Sequence, residues 1–442
     1  MTLSALDLLR ALHARAVADG RPGPAGLVGD WLGADAVIAP SIAITPGTAL
    51  PDRPDAFWFG ALPFPSVADS PVVADSTLVA ECRPRNEGGV SRPPTDSSSV
   101  AECRPRNEGG VSRPRPAATT VVGGLTDGIL ELRAGAWSWR SATGRPCPDW
   151  VAEVLAAHDD PPHPRPWRTS WTAPQSDPHL QAIAACRGAI AAGEVYQACI
   201  CTRFTGTLDG APIDFFADVA AATTPAKAAF LHGDWGAVAS FSPESFLRRS
   251  GGTVTSSPIK GTLPSGADPV ALSNSAKDVA ENVMIVDLVR NDLSRVARTG
   301  SVRVPDLLTV VGAPGVWHLV STVAADLDHT VGNDALIAAA FPPASVTGTP
   351  KIRAAELIAE WEQFPRGFYC GAVGVAGPST GPGSTGVELD LNVAIRTVAV
   401  DPDGSLVLGV GGGITYDSDP AAEWQECLDK AAAIVSRTRS GD

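Results

Sequence analysis

The sequence predicts an α+β fold, a large antiparallel β-sandwich flanked by helices, with the N-terminal part interwoven into a single unit. Three observations predict it. Short runs rich in Val, Ile, Thr and Phe, bounded by Gly, Pro or Asp, recur from Val195 to Val410. Helical periodicity with recognisable caps is confined to a few segments that do not alternate one for one with those runs, which disfavours βαβ order. The 442 residues, 44% hydrophobic and 19% charged, supply a sizeable core and exclude global disorder.

Taken in order, Gly29-Asp30-Trp31 and Ala36–Ala39 read as short strands. Residues from about 66 to 118 read as a flexible insertion with little stable structure: Val79–Pro93 recurs unchanged as Val100–Pro114, and two polar copies lack the apolar periodicity of a stacking repeat. Trp139, Trp150, Trp167 and Trp171 are expected as packing anchors. His179 to Ala192 reads as a helix ended by Gly193, followed by a strand from Val195 to Phe204. Strands are expected at Ala237–Ser242, Phe246–Arg249 and Thr253–Ser256, and Lys260 at a strand-to-turn junction beyond them. Ser275 to Arg298 reads as a long helix, capped by Ser275 and stopped by Gly300. Strands resume at Val316–Leu327, Gly371–Val375, Leu389–Val400 and Leu406–Val410. Asp419 to Arg437 closes as a helix, with Asp419 as cap and Pro420 at its first position. The expected division is an N-terminal β-rich region over residues 1–175 and a catalytic domain over residues 176–442.

A net charge of −14 argues against non-specific binding to nucleic acid or an anionic membrane. No stretch has the roughly 18 apolar residues that span a bilayer, and Met1–Arg10 lacks the pattern of a secretory signal. The eight cysteines form no paired CxxC pattern, so reduced thiols and a cytoplasmic location are expected. Cys199 and Cys201 are expected to point to opposite faces of their strand.

Two helices carry grouped carboxylates. Asp278 and Glu281 stand at i,i+3, and Glu423, Glu426 and Lys430 share a face by the same rule. Four carboxylates brought together repel unless a cation bridges them, and oxygen ligands without His or Cys suit magnesium. Gly411-Gly412-Gly413, expected as a turn after its strand, lets backbone approach a ligand. Glu244, beside apolar Phe241 and Phe246, is a general-acid candidate because burial raises a carboxyl. Arg396, expected inside an apolar strand, requires a partner anion, from the protein or from a substrate.

From about Asp177 onward these motifs resemble the chorismate-utilising enzymes, and among them component I of the aminodeoxychorismate synthases. The resemblance rests on Gly193-Glu-Val-Tyr-Gln197, Ser242-Pro-Glu244, Pro258-Ile-Lys-Gly-Thr262 and the run Lys277–Asp292. It continues through His318-Leu-Val-Ser321, Ser345-Val-Thr-Gly-Thr-Pro-Lys351, Arg366–Gly371, Ala394–Thr397, Gly411–Ile414 and Asp417–Pro420. The N-terminal third matches only loosely, and the repeated insertion is no feature of the family.

The resemblance implies the following roles. Glu281 and Glu426 match positions that hold Mg²⁺, with Asp278 and Glu423 close behind, and the metal holds the ring carboxylate of chorismate. Glu244 matches the acid that protonates the departing C4 hydroxyl. Tyr369 and Arg396 match binders of the enolpyruvyl carboxylate, helped by the Gly411 and Gly413 backbone and by Lys430. His318 and Ser345 match pocket residues near the ring. Gln197 stands where water-using relatives carry a lysine base; a neutral amide does not readily activate water, which favours ammonia. Lys260 matches a lysine taken to attack C2, where enzymes similar to anthranilate synthase have alanine. The expected activity is a transaminase-class aminodeoxychorismate synthase making 4-amino-4-deoxychorismate for 4-aminobenzoate and folate biosynthesis. Its ammonia comes from a separate glutamine amidotransferase subunit. Anthranilate synthesis, or a non-catalytic glutaminase-binding scaffold, is the alternative. Leu263 and Ser265 stand where relatives usually carry basic residues, and Thr349 replaces a common alanine; these departures are expected to alter affinity or loop order rather than reaction type.

Overall fold

The computed structural model describes residues 3–52, 54–65, 120–157, 164–379 and 386–437; the repeated segment lies outside them. Among the described residues the strands form two antiparallel sheets, of eleven and ten strands. The first runs Gly348–Thr349, Gln197–Asp209, Ser405–Ile414, Thr397–Val400, Gly236–Ser242, Lys227–Gly233, Ala25–Trp31, Ala34–Ala39, Gly128–Arg133, Ala136–Ser141, and Arg168–Thr172 also pairs with Gln197–Asp209. The second runs Ile259–Pro264, Val316–Asp326, Thr253–Ser257, Ser245–Ser250, Val387–Val393, Ala372–Pro378, Phe57–Leu62, Val122–Thr126, Thr45–Pro46, and Arg303–Ala313 also pairs with Val316–Asp326. N-terminal strands therefore enter both sheets, as an interwoven sandwich requires.

The period of two in the strands sorts the core. Phe57 and Phe59 point between the sheets, where they meet Leu27, Trp31, Val37 and Val375, whereas Trp58 joins the apolar cluster on the other side of its sheet. Helices cover the outer faces. Leu8, Leu9 and Leu12 of the helix Ala5–Ala18, Phe215 and Phe216 of Pro212–Thr223, and Ala431 and Ile434 of Pro420–Val435 pack in the cluster of Phe230, Val398 and Leu408. Ile285, Val289 and Leu293 of the helix Ala276–Ser294 pack in that of Val254, Val323 and Leu391. The sheets are also tied by a buried ion pair, Lys227 Nζ to Asp390 Oδ1 at 2.6 Å.

Several local expectations are corrected. The helix capped by Ser275 ends at Ser294 rather than near Gly300. Its continuation is drawn off by the second sheet, with Ala297 bridging Leu327 and the Arg298 N–H donating to Asp326. The apolar run Leu389–Val400 is two strands, Val387–Val393 in the second sheet and Thr397–Val400 in the first, with Arg396 between them at φ +50°. Gly411–Gly413 lies inside the strand Ser405–Ile414, paired with Cys201, Ile200 and Cys199, rather than in a turn. Cys199 and Cys201 share a face, as i,i+2 positions on a strand do, and their Sγ atoms stand 3.8 Å apart. Lys260 lies within the strand Ile259–Pro264, at a register shift where Gly261 takes φ +80°.

The strands expected at Gly29–Trp31 and Ala36–Ala39 are present within Ala25–Trp31 and Ala34–Ala39, but the turns that pair the N-terminal strands lack the Asn-Gly signal. Leu32-Gly33 closes one with both residues at positive φ, and Ala134-Gly135 closes the other in the same way.

Candidate active site

A cavity of about 580 Å³ opens where the sheets part, in the size range of small-molecule sites. Its lining includes thirteen of the fourteen side chains and backbones singled out from the sequence: Glu244, Lys260, Asp278, Glu281, His318, Ser345, Tyr369, Arg396, Gly411, Gly413, Glu423, Glu426 and Lys430. Gln197 stands just behind, its Oε1 reaching toward Gly413.

Glu244 lies at the crossing from the strand Gly236–Ser242 to the strand Ser245–Ser250, one in each sheet. Its backbone is held by Ser242, whose Oγ accepts from the Glu244 N–H at 3.1 Å and donates to the Val393 carbonyl at 2.6 Å. Burial pushes the Glu244 carboxyl up; the neighbouring Ser345 hydroxyl and the Lys260 ammonium oppose the rise without cancelling it. Lys260 Nζ donates to the Ser345 carbonyl at 3.0 Å. The Ser345 turn, Ala344–Val346, is itself fixed by the Arg366 guanidinium, which donates to the Val346 carbonyl at 2.7 Å.

The strand Ser405–Ile414 forms the floor. At Gly409 a Cβ would stand 2.2 Å from the Tyr369 ring, so glycine there is what lets the ring lie across the strand. At Gly412 a Cβ would stand 3.2 Å from Glu423 Oε2. Lys430 Nζ donates to the Gly411 carbonyl and to Glu426 Oε1, each at 2.7 Å. Burial alone would raise the Glu426 carboxyl, but Lys430 outweighs it and holds the group below its ordinary value. Glu423 is buried and accepts from Lys277 Nζ at 2.8 Å and Ser418 Oγ at 2.7 Å.

Glu281 is different. It is buried, and among the described residues it makes neither hydrogen bond nor ion pair; burial pushes its carboxyl up against the fields of Lys260 and Lys277. Among the described residues no three His, Cys, Asp or Glu side chains are gathered closely enough to hold a metal as they stand. The donor set still fits a hard divalent cation: all oxygen, and one buried carboxyl short of positive charge. Lys277, the first residue of the run Lys277–Asp292, also lines the cavity, and its spacing of i,i+4 from Glu281 on the same helix face is the signal that places it there.

On the opposite wall, His318 Nδ1 and Thr262 Oγ1 are 2.9 Å apart. Burial, aided by the Arg396 charge, lowers His318 to about 4. Arg396 is half-buried, is lowered by burial, and among the described residues its guanidinium has no anionic partner. Among the described residues no carboxylate meets Arg396, and the cavity lies before it. Of the departures from the family pattern, Leu263 lines the cavity, and Thr349 has a buried Oγ1 that meets no hydrogen-bond partner among the described residues.

Residues 140–436 match the family model described as chorismate binding enzyme. Among curated proteins the chain is similar to aminodeoxychorismate synthase component 1 of Klebsiella aerogenes, 44% identical over 255 residues, which are 56% of this chain and 55% of that protein. The match thus spans about half the length of such relatives. Among solved structures it resembles anthranilate synthase component I from Streptococcus pneumoniae TIGR4, with a TM-score of 0.60 and 25% identity, covering 71% of this chain and 73% of that one. It also shares the fold of the menaquinone-specific isochorismate synthase from Escherichia coli, with a TM-score of 0.66 and 17% identity over 98% of this chain and 92% of that one.

Proposed function

The chain belongs to the chorismate binding enzymes, and on that premise we propose that it converts chorismate and ammonia into 4-amino-4-deoxychorismate and water. The observation that carries the reading is the position of Lys260. Its Nζ stands in the cavity on the Ser345 carbonyl, beside a buried carboxyl that is pushed toward holding its proton, Glu244. An amine nucleophile next to a protonated acid is what covalent displacement of a hydroxyl requires.

Chorismate brings two carboxylates. Arg396, which meets no anion among the described residues, supports a seat for the enolpyruvyl carboxylate, with Tyr369 and the Gly411 and Gly413 backbone beside it. Glu281 and Glu426, with Asp278 and Glu423, would hold Mg²⁺, which supplies positive charge for the ring carboxylate. Neutral His318 and Ser345 would border the ring. Lys260 attacks as the free amine: its lone pair bonds C2, the two ring double bonds shift, and the C4–O bond breaks. Glu244 gives the proton that lets the oxygen leave as water. Ammonia then bonds C4, the double bonds shift back, and the C2–N bond breaks with its electron pair returning to Nζ. The ammonium formed at C4 gives up a proton, which restores Glu244.

On this reading the protein is a transaminase-class enzyme that feeds 4-aminobenzoate and folate synthesis and acts with a glutamine amidotransferase subunit as ammonia source. The name of the Klebsiella relative, a component 1, supports a partner component. The test is an assay of chorismate and ammonium, with and without magnesium, with products resolved by mass and fluorescence. Wild-type protein is expected to yield 4-amino-4-deoxychorismate, only with magnesium, and Lys260→Ala to abolish it. Anthranilate from the wild type, or an unchanged product and rate in Lys260→Ala, would overturn the reading.

A further inference from the structure

Gly413 is not among the residues with positive φ, so its backbone does not call for glycine. What the missing side chain provides is space. A Cβ there would stand 3.4 Å from Glu281 Oε2, 3.5 Å from Lys260 Nζ and 3.6 Å from Gln197 Oε1. Three heteroatoms from three separate elements thus border a recess on the cavity floor that a single added heavy atom would fill in van der Waals contact.

Gln197 supplies the second observation. The residue is 3% exposed, and its Oε1 is a buried acceptor that meets no hydrogen-bond donor among the described residues. Buried acceptors are normally met, and leaving one unmet is costly, so an acceptor aimed into an open recess marks the place of a donor that arrives with a ligand. The recess offers two acceptor oxygens and one amine. Ammonia suits it: N–H groups for both oxygens, and a lone pair left free for carbon.

We propose that the Gly413 recess is the seat of the nitrogen nucleophile, in which ammonia donates to Gln197 Oε1 and Glu281 Oε2 beside the Lys260 amine. The proposal rests on the aminating reading above and assigns Gln197 a positive task, orienting ammonia, beyond its inability to activate water.

The experiment measures KM for ammonia from ammonium chloride at fixed pH and saturating chorismate, with the dissociation constant of chorismate measured separately by equilibrium titration. Gly413→Ala fills the recess while keeping the backbone N–H, and Gln197→Leu removes the acceptor while keeping volume. Each is expected to raise KM for ammonia about tenfold or more, the effect of one buried hydrogen bond lost. Chorismate affinity should move by no more than about threefold. An unmoved KM for ammonia in Gly413→Ala, or equal weakening of both substrates, would overturn the seat alone. A wild-type product hydroxylated by water instead of aminated would overturn both the seat and the aminating reading.

Discussion

Arg366 offers the sharpest test of how the protein holds its cavity together. Its guanidinium donates to Glu362 Oε2 at 2.9 Å and Oε1 at 2.6 Å, to the Val346 carbonyl at 2.7 Å and to the Cys199 carbonyl at 2.8 Å. The two side chains are 2% and 4% exposed. Glu362 Oε1 also accepts from the Cys201 N–H at 2.9 Å. One ion pair therefore clamps the strand Gln197–Asp209 to the turn whose Ser345 carbonyl receives Lys260. In Arg366→Ala the Glu362 carboxyl loses its counter-charge in a buried setting and two carbonyls lose their donor. Breaking a buried pair from one side costs about 3–5 kcal/mol. The orphaned carbonyls add to that, though not in full, because all the bonds share one group. A loss of about 4–5 kcal/mol is expected in urea unfolding followed by circular dichroism. Arg366→Lys keeps the charge but not the planar fork that reaches both carboxyl oxygens and both carbonyls, and should fall in between. The double variant Arg366→Ala, Glu362→Gln should be more stable than the sum of the singles by about 2 kcal/mol or more, since each single change strands the other partner. Additive singles, or a loss below about 1 kcal/mol in Arg366→Ala, would refute the clamp.

Two further outcomes follow from the same geometry. Gly409→Ala sets a methyl against the Tyr369 ring and should cost about 1–3 kcal/mol by overpacking, while raising KM for chorismate as the ring is pushed from its place; an unchanged unfolding midpoint would contradict the close approach. His318 is lowered to about 4 in the folded protein, against about 6.5 in an unfolded chain, so the unfolded state binds the extra proton between those values. Stability from this group is present above pH 6.5 and is lost as pH falls toward 4; His318→Gln should lose less stability than the wild type between pH 7 and 4.5, and equal losses would rule out the buried neutral imidazole.

The cavity was more legible in the sequence than the fold around it. Helix caps and i,i+3 spacing are local, so Ser275, Asp278, Glu281, Asp419 and Glu423 could be placed on helices from their neighbours alone, and each sits as expected. The resemblance then assigned thirteen lining positions that share one cavity. What could not be read locally was where strands change partners. Leu389–Val400 looks like one apolar run because both of its halves are buried, and only the long-range pairing of Leu391 with Leu247 and of Val398 with Ala239 shows that they belong to different sheets. The helix Pro212–Thr223 was missed although Pro212 stands at its first turn, a recognised start signal.

The corrected strand break also explains why the site is where it is. The chain passes from the first sheet to the second at Pro243-Glu244, and back again at Ala394–Arg396, with the two crossings side by side. Ser240 pairs with Thr397 before them in one sheet, and Ser245 with Asn392 after them in the other. Between, the Val393 N–H donates to the Glu244 carbonyl and the Phe241 N–H to the Arg396 carbonyl, each at 3.0 Å. A residue inside a ladder must send its side chain to one face of one sheet. Residues at a crossing are released from that alternation while their backbone bonds remain satisfied, and Arg396 takes φ +50° to do so. The strained backbone thus turns a guanidinium that meets no carboxylate among the described residues, and a carboxyl raised by burial, toward the same gap between the sheets. Both groups are costly to bury, and neither is met by the other. A sandwich stabilised only by its core would have no use for such a pair, whereas a substrate that carries carboxylates and loses a hydroxyl calls for both.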